Sequence, residues 1–506
     1  MTYENGQLFR AFASNLKRGA LALCLASGVI QMAACSVGSD APPGIADSAS
    51  AGTGSSAGGS APTAGNATGG SAQAGAPATI GATFELRPEW DGSCARANVV
   101  DVNLGNSAEN FVKAAYCQVY GTPATDDVVT GWAGKLRTLS YVRRIDVVLS
   151  LCTAAARPCP LSYSDPWAKQ ADLSTACTRS GSRDVGAVLM FFNDCPGGVN
   201  CTMDWANTHA SGMSSTSPLL AFAPATGGYY TAKNPGFWRR ELLDAAYAGM
   251  QFFLLNVYGP DLNAAVDPLA QLSKALVDTG SVVKIGMFDD TSSWGRSPGA
   301  FATLPDLNDP EKAAQTIYDA KWKPFFTRIP KASWYLFKDR PLIYFYNAGT
   351  LKPQNKAAAL LTALRTRFQT DFGVSPFIAV DEAYFGDPDM PNVADARFNW
   401  DTFRTGEISD QTLNGVELTS FMPKWDALGR DHRGQVATAS DRMVKDDSLL
   451  KQRLQEAKTS QLTVIATWND MGEGTGITRN YDYFAGGQWL EPDVFLKDIR
   501  ATQCSN

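Results

Sequence analysis

Histidine is nearly missing from this chain: His209 and His432 are the only two among 506 residues. No Cys-x-x-Cys knuckle accompanies them, so neither a zinc finger nor any other metal site is expected, and no cofactor with it. An excess of one charge is missing too. Lys and Arg number 44 against 50 Asp and Glu, a net charge of −6, and the basic residues are dispersed, which argues against a nucleic-acid partner. Beyond the first 34 residues no apolar run is long enough to cross a bilayer. No Gly-rich phosphate turn follows the first strand-like segment, so a nucleotide fingerprint is absent as well.

The amino terminus carries a compartment signal. Arg10, Lys17 and Arg18 precede a mostly apolar run from Gly19 to Met32 that stops at Met32-Ala33-Ala34-Cys35. This resembles a bacterial lipoprotein signal with its lipobox. Residues 1–34 are then a signal peptide, and Cys35 is the lipidated first residue, holding the protein to a membrane through its lipid. Ser36 and Val37 follow it, not the Asp that retains lipoproteins at the inner membrane, so the outer membrane or cell surface is expected, with the periplasmic face open. Residues 35–80 are Ser, Gly, Ala and Thr with scattered Pro, too polar to offset chain entropy with a core, and read as a disordered tether.

Cysteine agrees with export. Cys94, Cys117, Cys152, Cys159, Cys177, Cys195, Cys201 and Cys504 form an even set suited to disulfides. Cys152/Cys159 and Cys195/Cys201 are the candidate short loops, and the remaining connectivity stays open. Within residues 81–180 a small all-α module is expected: Phe111–Tyr116, Val128–Leu139 and Val142–Leu151 show helical spacing, with a breaker at Gly121-Thr122-Pro123. This layout, with Trp132, resembles the helical module known as domain of unknown function family 4214. Packing, or docking of an envelope protein partner, is its expected role.

From Val185 onward strand-like and helix-like segments alternate. Strands are expected at Val185–Phe192, Phe252–Val257, Val282–Phe288, Leu342–Tyr346, Pro376–Val380, Ala396–Asn399, Val416–Met422 and Leu462–Thr467. Helical patterns at Pro235–Gly249, Leu262–Asp278, Pro310–Arg328, Gln354–Phe372 and Ser440–Thr459 separate most of them. The chain therefore reads as α/β, with a (β/α)₈ TIM barrel over residues 181–506; an open doubly wound sheet is the alternative.

Active groups of such a barrel follow the strands. Asn193 and Asp194, Tyr258 and Asp261, Asp289 and Asp290, Asn347, Asp381 and Glu382, Trp425 and Asp426, and finally Asp470 and Glu473 occupy those places. Each alone reads as a helix cap. Together, with Trp205, Trp294, Trp400, Trp425 and Trp468 in the same loops, they describe carboxylates beside flat apolar faces, suited to a neutral polyhydroxylated ligand. A phosphate ligand would call for Arg, Lys or helix N-termini. Asp470 and Glu473 are three positions apart, which on a helical turn leaves about 5–6 Å between Cβ atoms, so each opposes ionisation of the other and one can act as acid while its neighbour is a base.

Gly227-Gly-Tyr-Tyr-Thr-Ala-Lys-Asn-Pro235, the segment Ala248 to Pro260, Arg340-Pro-Leu-Ile-Tyr-Phe-Tyr346 and Trp468-Asn469-Asp470-Met-Gly-Glu473-Gly-Thr475 together resemble glycoside hydrolase family 99 and its bacterial relatives. The resemblance implies a retaining endo-α-mannosidase or mannanase that needs no metal, acting on a polysaccharide or oligosaccharide. Asp470 is then the base that deprotonates the sugar 2-hydroxyl and Glu473 the general acid/base, with Tyr258, Asp289, Glu382, Trp425, Trp468 and Asn469 expected to bind substrate. The chain departs from the family in three places: Asp470 and Asp289 are shortened from Glu, and Gly472 replaces a His. The alternative function is a non-catalytic glycan-binding or envelope scaffold lipoprotein that uses the same barrel.

Overall fold

The computed structural model describes residues 90–504 apart from 139–143, 163–176, 192–231, 260–266, 296–300, 347–350, 401–406, 424–446, 471–473, 480–483, 490–492 and scattered single or paired positions. Cys35, the tether and the signal segment lie outside the described residues, as do Cys159, Cys195 and Cys201.

Strand β1 (Val100–Asp101) leads to three helices: α1 (Ala108–Tyr120), α2 (Asp126–Thr138) and α3 (Arg144–Ala154). Ser107 caps α1 by accepting from the Asn110 amide, and the helix stops at Gly121, where the expected breaker begins. The helices bury one small core around Phe111, Val112, Val119, Val148 and Leu151. The carbonyls that α1 leaves open at its end are met by Arg157, which donates to Val119 O at 2.8 Å and also reaches Ala97 O at 2.6 Å. A disulfide joins Cys94 to Cys117, and Cys152 is also disulfide-bonded. Strand β2 (Leu161–Ser162) returns parallel to β1.

The rest is a barrel. In chain order come β3 (Asp184–Met190), α4 (Pro235–Tyr247), β4 (Phe252–Val257), α5 (Pro268–Thr279), β5 (Lys284–Asp290) and α6 (Pro310–Ile317). A π-helical turn at Tyr318–Trp322 passes α6 into α7 (Lys323–Arg328), followed by the hairpin β6 (Leu336–Phe337) and β7 (Arg340–Tyr346). Then come α8 (Ala357–Phe372), β8 (Phe377–Asp381), α9 (Met390–Val393), β9 (Ala396–Phe398), β10 (Ile408–Leu413), β11 (Val416–Phe421), α10 (Ser448–Glu456), β12 (Leu462–Ile465) and α11 (Val494–Gln503). The pairing order is β10-β11-β12-β3-β4-β5-β7-β8-β9; from β11 to β9 every pair is parallel, and β10 alone is antiparallel to β11. The eight parallel strands are those expected from the sequence. Asn399 N donates to Ser409 Oγ at 3.2 Å, bringing β9 against β10 and nearly closing the ring.

Two cores explain why the chain closes this way. Alternate strand residues (Val188, Met190, Phe252, Leu254, Phe288, Leu342, Tyr344, Phe377, Ala379, Phe398, Leu418 and Val464) pack with one another inside the barrel. Their neighbours (Val185, Leu189, Phe253, Leu255, Met287, Phe345, Val380 and Ile465) pack outward against helices through Trp238, Leu272, Trp322, Leu361 and Phe368. Strands buried on both faces lose the polar alternation of a half-exposed sheet, as these have. The interior is filled at its amino-terminal end: Phe252 stacks on Tyr335 at 4.0 Å, and Gly186 faces them, since a Cβ there would overlap the Phe252 ring. The polar strand ends lie at the opposite, carboxyl-terminal mouth.

A further disulfide, Cys177–Cys504, joins the segment before β3 to the end of α11 across 327 positions. Cross-links of this kind typically stabilise by about 2–4 kcal/mol. This one spans position 180, so a chain begun at Ser180 would strip Cys504 of its partner. Among the described residues no helix is long and apolar enough to cross a membrane.

Candidate functional site

The strand ends carry adjacent polar residues, and the pleat sends them to opposite sides. On β5 the inward residues are Phe288 and Asp290, whereas Asp289 follows Met287 to the outside. Asp289 is fully buried there: its Oδ1 meets Lys321 Nζ at 3.0 Å and its Oδ2 accepts from Trp322 Nε1 at 2.8 Å. The π-helical turn delivers both partners. Asp289, expected to bind substrate, is thus a buried tie between barrel and helix layer, and Asp290 is the carboxylate of this strand that faces the interior. Asp290 is held by Asn256 Nδ2 at 3.3 Å and by Ser292, whose amide and hydroxyl both donate to Oδ1.

The same division recurs on β8. Alternation with Phe377 and Ala379 turns Asp381 inward, where its Oδ1 also caps the following turn at the Ala383 amide. Glu382 leans instead toward β9 and accepts from Arg397 and from Asn399 Nδ2 at 3.0 Å. Arg397 in turn covers the Phe385 ring at 4.6 Å. Glu382 keeps partial exposure, but its two oxygens already have donors.

On β4, Asn256 faces inward and is nearly inaccessible; its Nδ2 also lies 3.1 Å from Met190 Sδ, and among the described residues its Oδ1 has no hydrogen-bond partner. Tyr258, two positions further on the same side, is half-buried at the rim. Tyr346 and Trp400 supply the aromatic wall: their rings are 5.4 Å apart, and both contact Phe288, at 5.5 and 5.0 Å. Met422 and Ala466 pack beside Trp400. Trp425 and Glu473 lie outside the described residues, and Trp294 is buried among outward-facing side chains.

The segment after β12 is built from its own backbone. Trp468 N donates to Val188 O at 2.7 Å, and Asn469 clasps the Met190 peptide, accepting from its N at 2.7 Å and donating to its O at 2.8 Å. These bonds continue β12 alongside β3. Asp470 N donates to Thr467 Oγ1 at 3.0 Å, and Asp470 O accepts from the amides of Thr475 and Gly476, each at 3.1 Å. Ile477 and Thr478 return to Trp468 O, and the hydroxyls of Thr467 and Thr475 meet at 2.7 Å. Trp468 and Asn469, expected to touch substrate, are wholly buried: the indole packs outward on Phe253 at 5.0 Å and donates to Glu241 of α4. Asp470 is the residue of this segment left near the strand ends, 8% exposed.

Glu241 is the most perturbed carboxyl beside this segment. Burial, and then the neighbouring Asp244, push it up from 4.5 to about 7, against the opposing pull of the Trp468 hydrogen bond. A folded-state value above the ordinary one means that its share of stability is complete below pH 4.5 and is lost as the pH rises through about 7. Burial also raises the Tyr344 and Tyr384 hydroxyls, which therefore stay protonated. Among the described residues no cluster of three or more His, Cys, Asp or Glu could hold a metal ion.

The family described as a domain of unknown function (DUF5010) matches residues 198–489. The fold is similar to the GH99 endo-alpha-mannosidase from Bacteroides thetaiotaomicron at 13% identity and a TM-score of 0.45, covering 63% of this chain and 96% of that one. The same enzyme in complex with BIS-TRIS-Propane gives 12% identity, a TM-score of 0.43, and 63% and 95% coverage. A glycoside hydrolase-like protein is similar at 14% identity and a TM-score of 0.40, over 67% of this chain and 99% of that one. No curated protein matches the chain.

Proposed function

We propose a function from this premise: the chain belongs to the family described as a domain of unknown function (DUF5010). It is a glycosidase of α-linked polysaccharide or oligosaccharide, exported and tethered to a membrane by lipid on Cys35. The observation that carries this reading is the inward set at the carboxyl end of the barrel: Asn256, Asp290, Tyr346, Asp381 and Trp400, with Asp470 following the last strand. It joins carboxylates and a buried amide oxygen to aromatic faces, and none of these positions is Lys or Arg. That chemistry accepts and donates to sugar hydroxyls and covers the apolar side of a pyranose, while offering nothing to neutralise a phosphate.

In this reading Asp470 takes the proton of the sugar 2-hydroxyl, which attacks the anomeric carbon as Glu473 protonates the departing oxygen. Water then attacks the anomeric carbon and opens the intermediate, giving its proton to Glu473 while Asp470 returns its proton to the 2-oxygen. The assignment of Asp470 and Glu473 rests on the resemblance of Trp468–Thr475 to the closing motif of glycoside hydrolase family 99. The other reading is a protein that binds the same glycan without cleaving it, which the departures from the family at Asp470, Gly472 and Asp289 favour. Release of reducing ends from a panel of α-mannans and α-glucans, measured beside binding to the same panel, separates the two. Cleavage of at least one member is expected; binding with no release from any of them would make the protein a glycan-binding lipoprotein.

Anchoring follows from the lipobox. Cys35→Ser removes the thiol that would be acylated, and the variant is expected to leave the membrane fraction on detergent partitioning. A variant that still fractionates entirely with membranes would end the lipoprotein reading.

A further inference from the structure

The geometry points to Glu241 and Asp244, on the outer helix α4, as positioning residues that hold Asp470 in place by clamping both described ends of its segment. Neither residue faces the barrel mouth, and no residue of the motif lies on that helix. At the near end Trp468 Nε1 donates to Glu241 Oε2. At the far end the Thr478 hydroxyl donates to the same oxygen at 3.3 Å, and Arg479 grips Asp244 with two nitrogens, Nε at 2.9 Å and a second on the other carboxylate oxygen. All five side chains are at most 3% exposed.

Between these anchors the backbone closes on itself through Trp468 O and Asp470 O, so moving either anchor moves the peptide that carries Asp470. From the barrel side the described part of the segment is tied by Asn469 to the Met190 peptide and by Thr467 to the Asp470 amide and the Thr475 hydroxyl. Helix α4 supplies the constraint from the outer side. The indole in particular has one strong acceptor in a dry site, and removing the acceptor leaves a buried N–H unpaired.

Glu241 acts here as an acceptor more than as a charge. Trp468 and Thr478 converge on Oε2, so a proton on Oε1 leaves both bonds in place. The raised proton affinity of Glu241 agrees with this. Asp244 differs, because Arg479 is a buried cation that needs its counter-charge. Positioning of this type is what keeps a reacting group within the narrow tolerance that acid–base chemistry needs.

The inference rests on the hydrolase reading only for what Asp470 does, and its test needs no substrate. Amide hydrogen exchange of Thr475, Gly476, Ile477 and Thr478 is followed in the full chain, with the β4 amides of Phe253 and Leu255 as reference. Glu241→Met is expected to speed exchange in the segment by about 5- to 100-fold, the range for one unpaired buried donor, while the reference amides keep their rates. Glu241→Gln keeps an oxygen in place and is expected to remain within about threefold of wild type. Should Glu241→Met not fold, Trp468→Phe breaks the same bond from the other side and is expected to loosen the same four amides. Unchanged exchange in Glu241→Met or Trp468→Phe would overturn the inference. So would an equal rise in the segment and the reference amides, since that is general destabilisation. A protein that cleaves no glycan but loosens as described would refute the hydrolase reading alone.

Discussion

Asp470→Asn and Glu473→Gln are each expected to lower kcat/KM on a native α-glycoside by about 10²–10⁴-fold, the usual worth of a positioned acid or base. Both substitutions keep shape and hydrogen-bonding capacity, while Asp470→Asn removes the carboxylate that accepts a proton and Glu473→Gln the carboxyl that donates one, so folding and glycan binding should be nearly unchanged. The two variants should then part on a substrate with an activated leaving group. Such a substrate needs little protonation of its departing oxygen, so it should rescue Glu473→Gln and not Asp470→Asn, whose task is on the nucleophile. The split would assign the two roles, which a simple loss of activity would not. Equal, wild-type rates for both variants on both substrates would return these carboxylates to capping and give the binding-protein reading first place. A loss of activity accompanied by an equal loss of glycan affinity would mean that Asp470 and Glu473 hold the ligand and carry out no proton transfer.

The strands were legible because each is a short apolar run between turn signals, and all eight parallel ones stand where the pattern puts them. The facing of their last residues was not. In Asp289-Asp290 and Asp381-Glu382 two acids are adjacent, and strands buried on both sides give no polar alternation from which to carry the phase forward. The mouth therefore holds Asp290 and Asp381, and the expected residues Asp289 and Glu382 are turned to partners outside it. Trp468 misleads for the same reason: its ring packs against α4 and Phe253 although its neighbours follow the strand.

Two hairpins show where a usable signal was present and where none was. Strands β10 and β11 pair through Asn414-Gly415, both with positive φ, 52° and 72°, and Asn-Gly between strand-like runs is the strongest short hairpin signature. Strands β6 and β7 use Lys338-Asp339 in the same left-handed region, at 51° and 62°. Asp339 tolerates that region but no Gly follows it, a weaker turn signal than Asn-Gly, and tertiary packing of Tyr335 and Phe337 into the barrel floor helps to hold it. Glu241 and Asp244 were equally silent, since an acid on an amphipathic helix reads as solvated until its partners are known.

The outward tie beneath Asp290 yields the largest expected change in stability. Lys321→Met should destabilise the protein by about 3–5 kcal/mol, the cost of leaving a buried carboxylate without its cation. Asp289 and Lys321 have no exposed side-chain surface, and Asp289 would keep only the Trp322 N–H. The substitution also strips the Asp290 carbonyl of its Lys321 donor, a 2.6 Å contact, and takes a cation from beside the Trp294 and Phe301 rings, each 5.7 Å away. The double variant Asp289→Asn/Lys321→Met removes the stranded charge while an amide oxygen still accepts from Trp322, and it should recover more than half of the loss. Urea unfolding of the three proteins reads this directly: a single variant with the wild-type midpoint, or a double variant no better than the single, would show that the pair is not a desolvated charge tie. Because Lys321 binds the Asp290 peptide as well as the Asp289 carboxylate, the charge-neutral double variant should regain stability without regaining the position of Asp290. Glycan binding measured on it then separates what the tie contributes to the fold from what it contributes to the mouth.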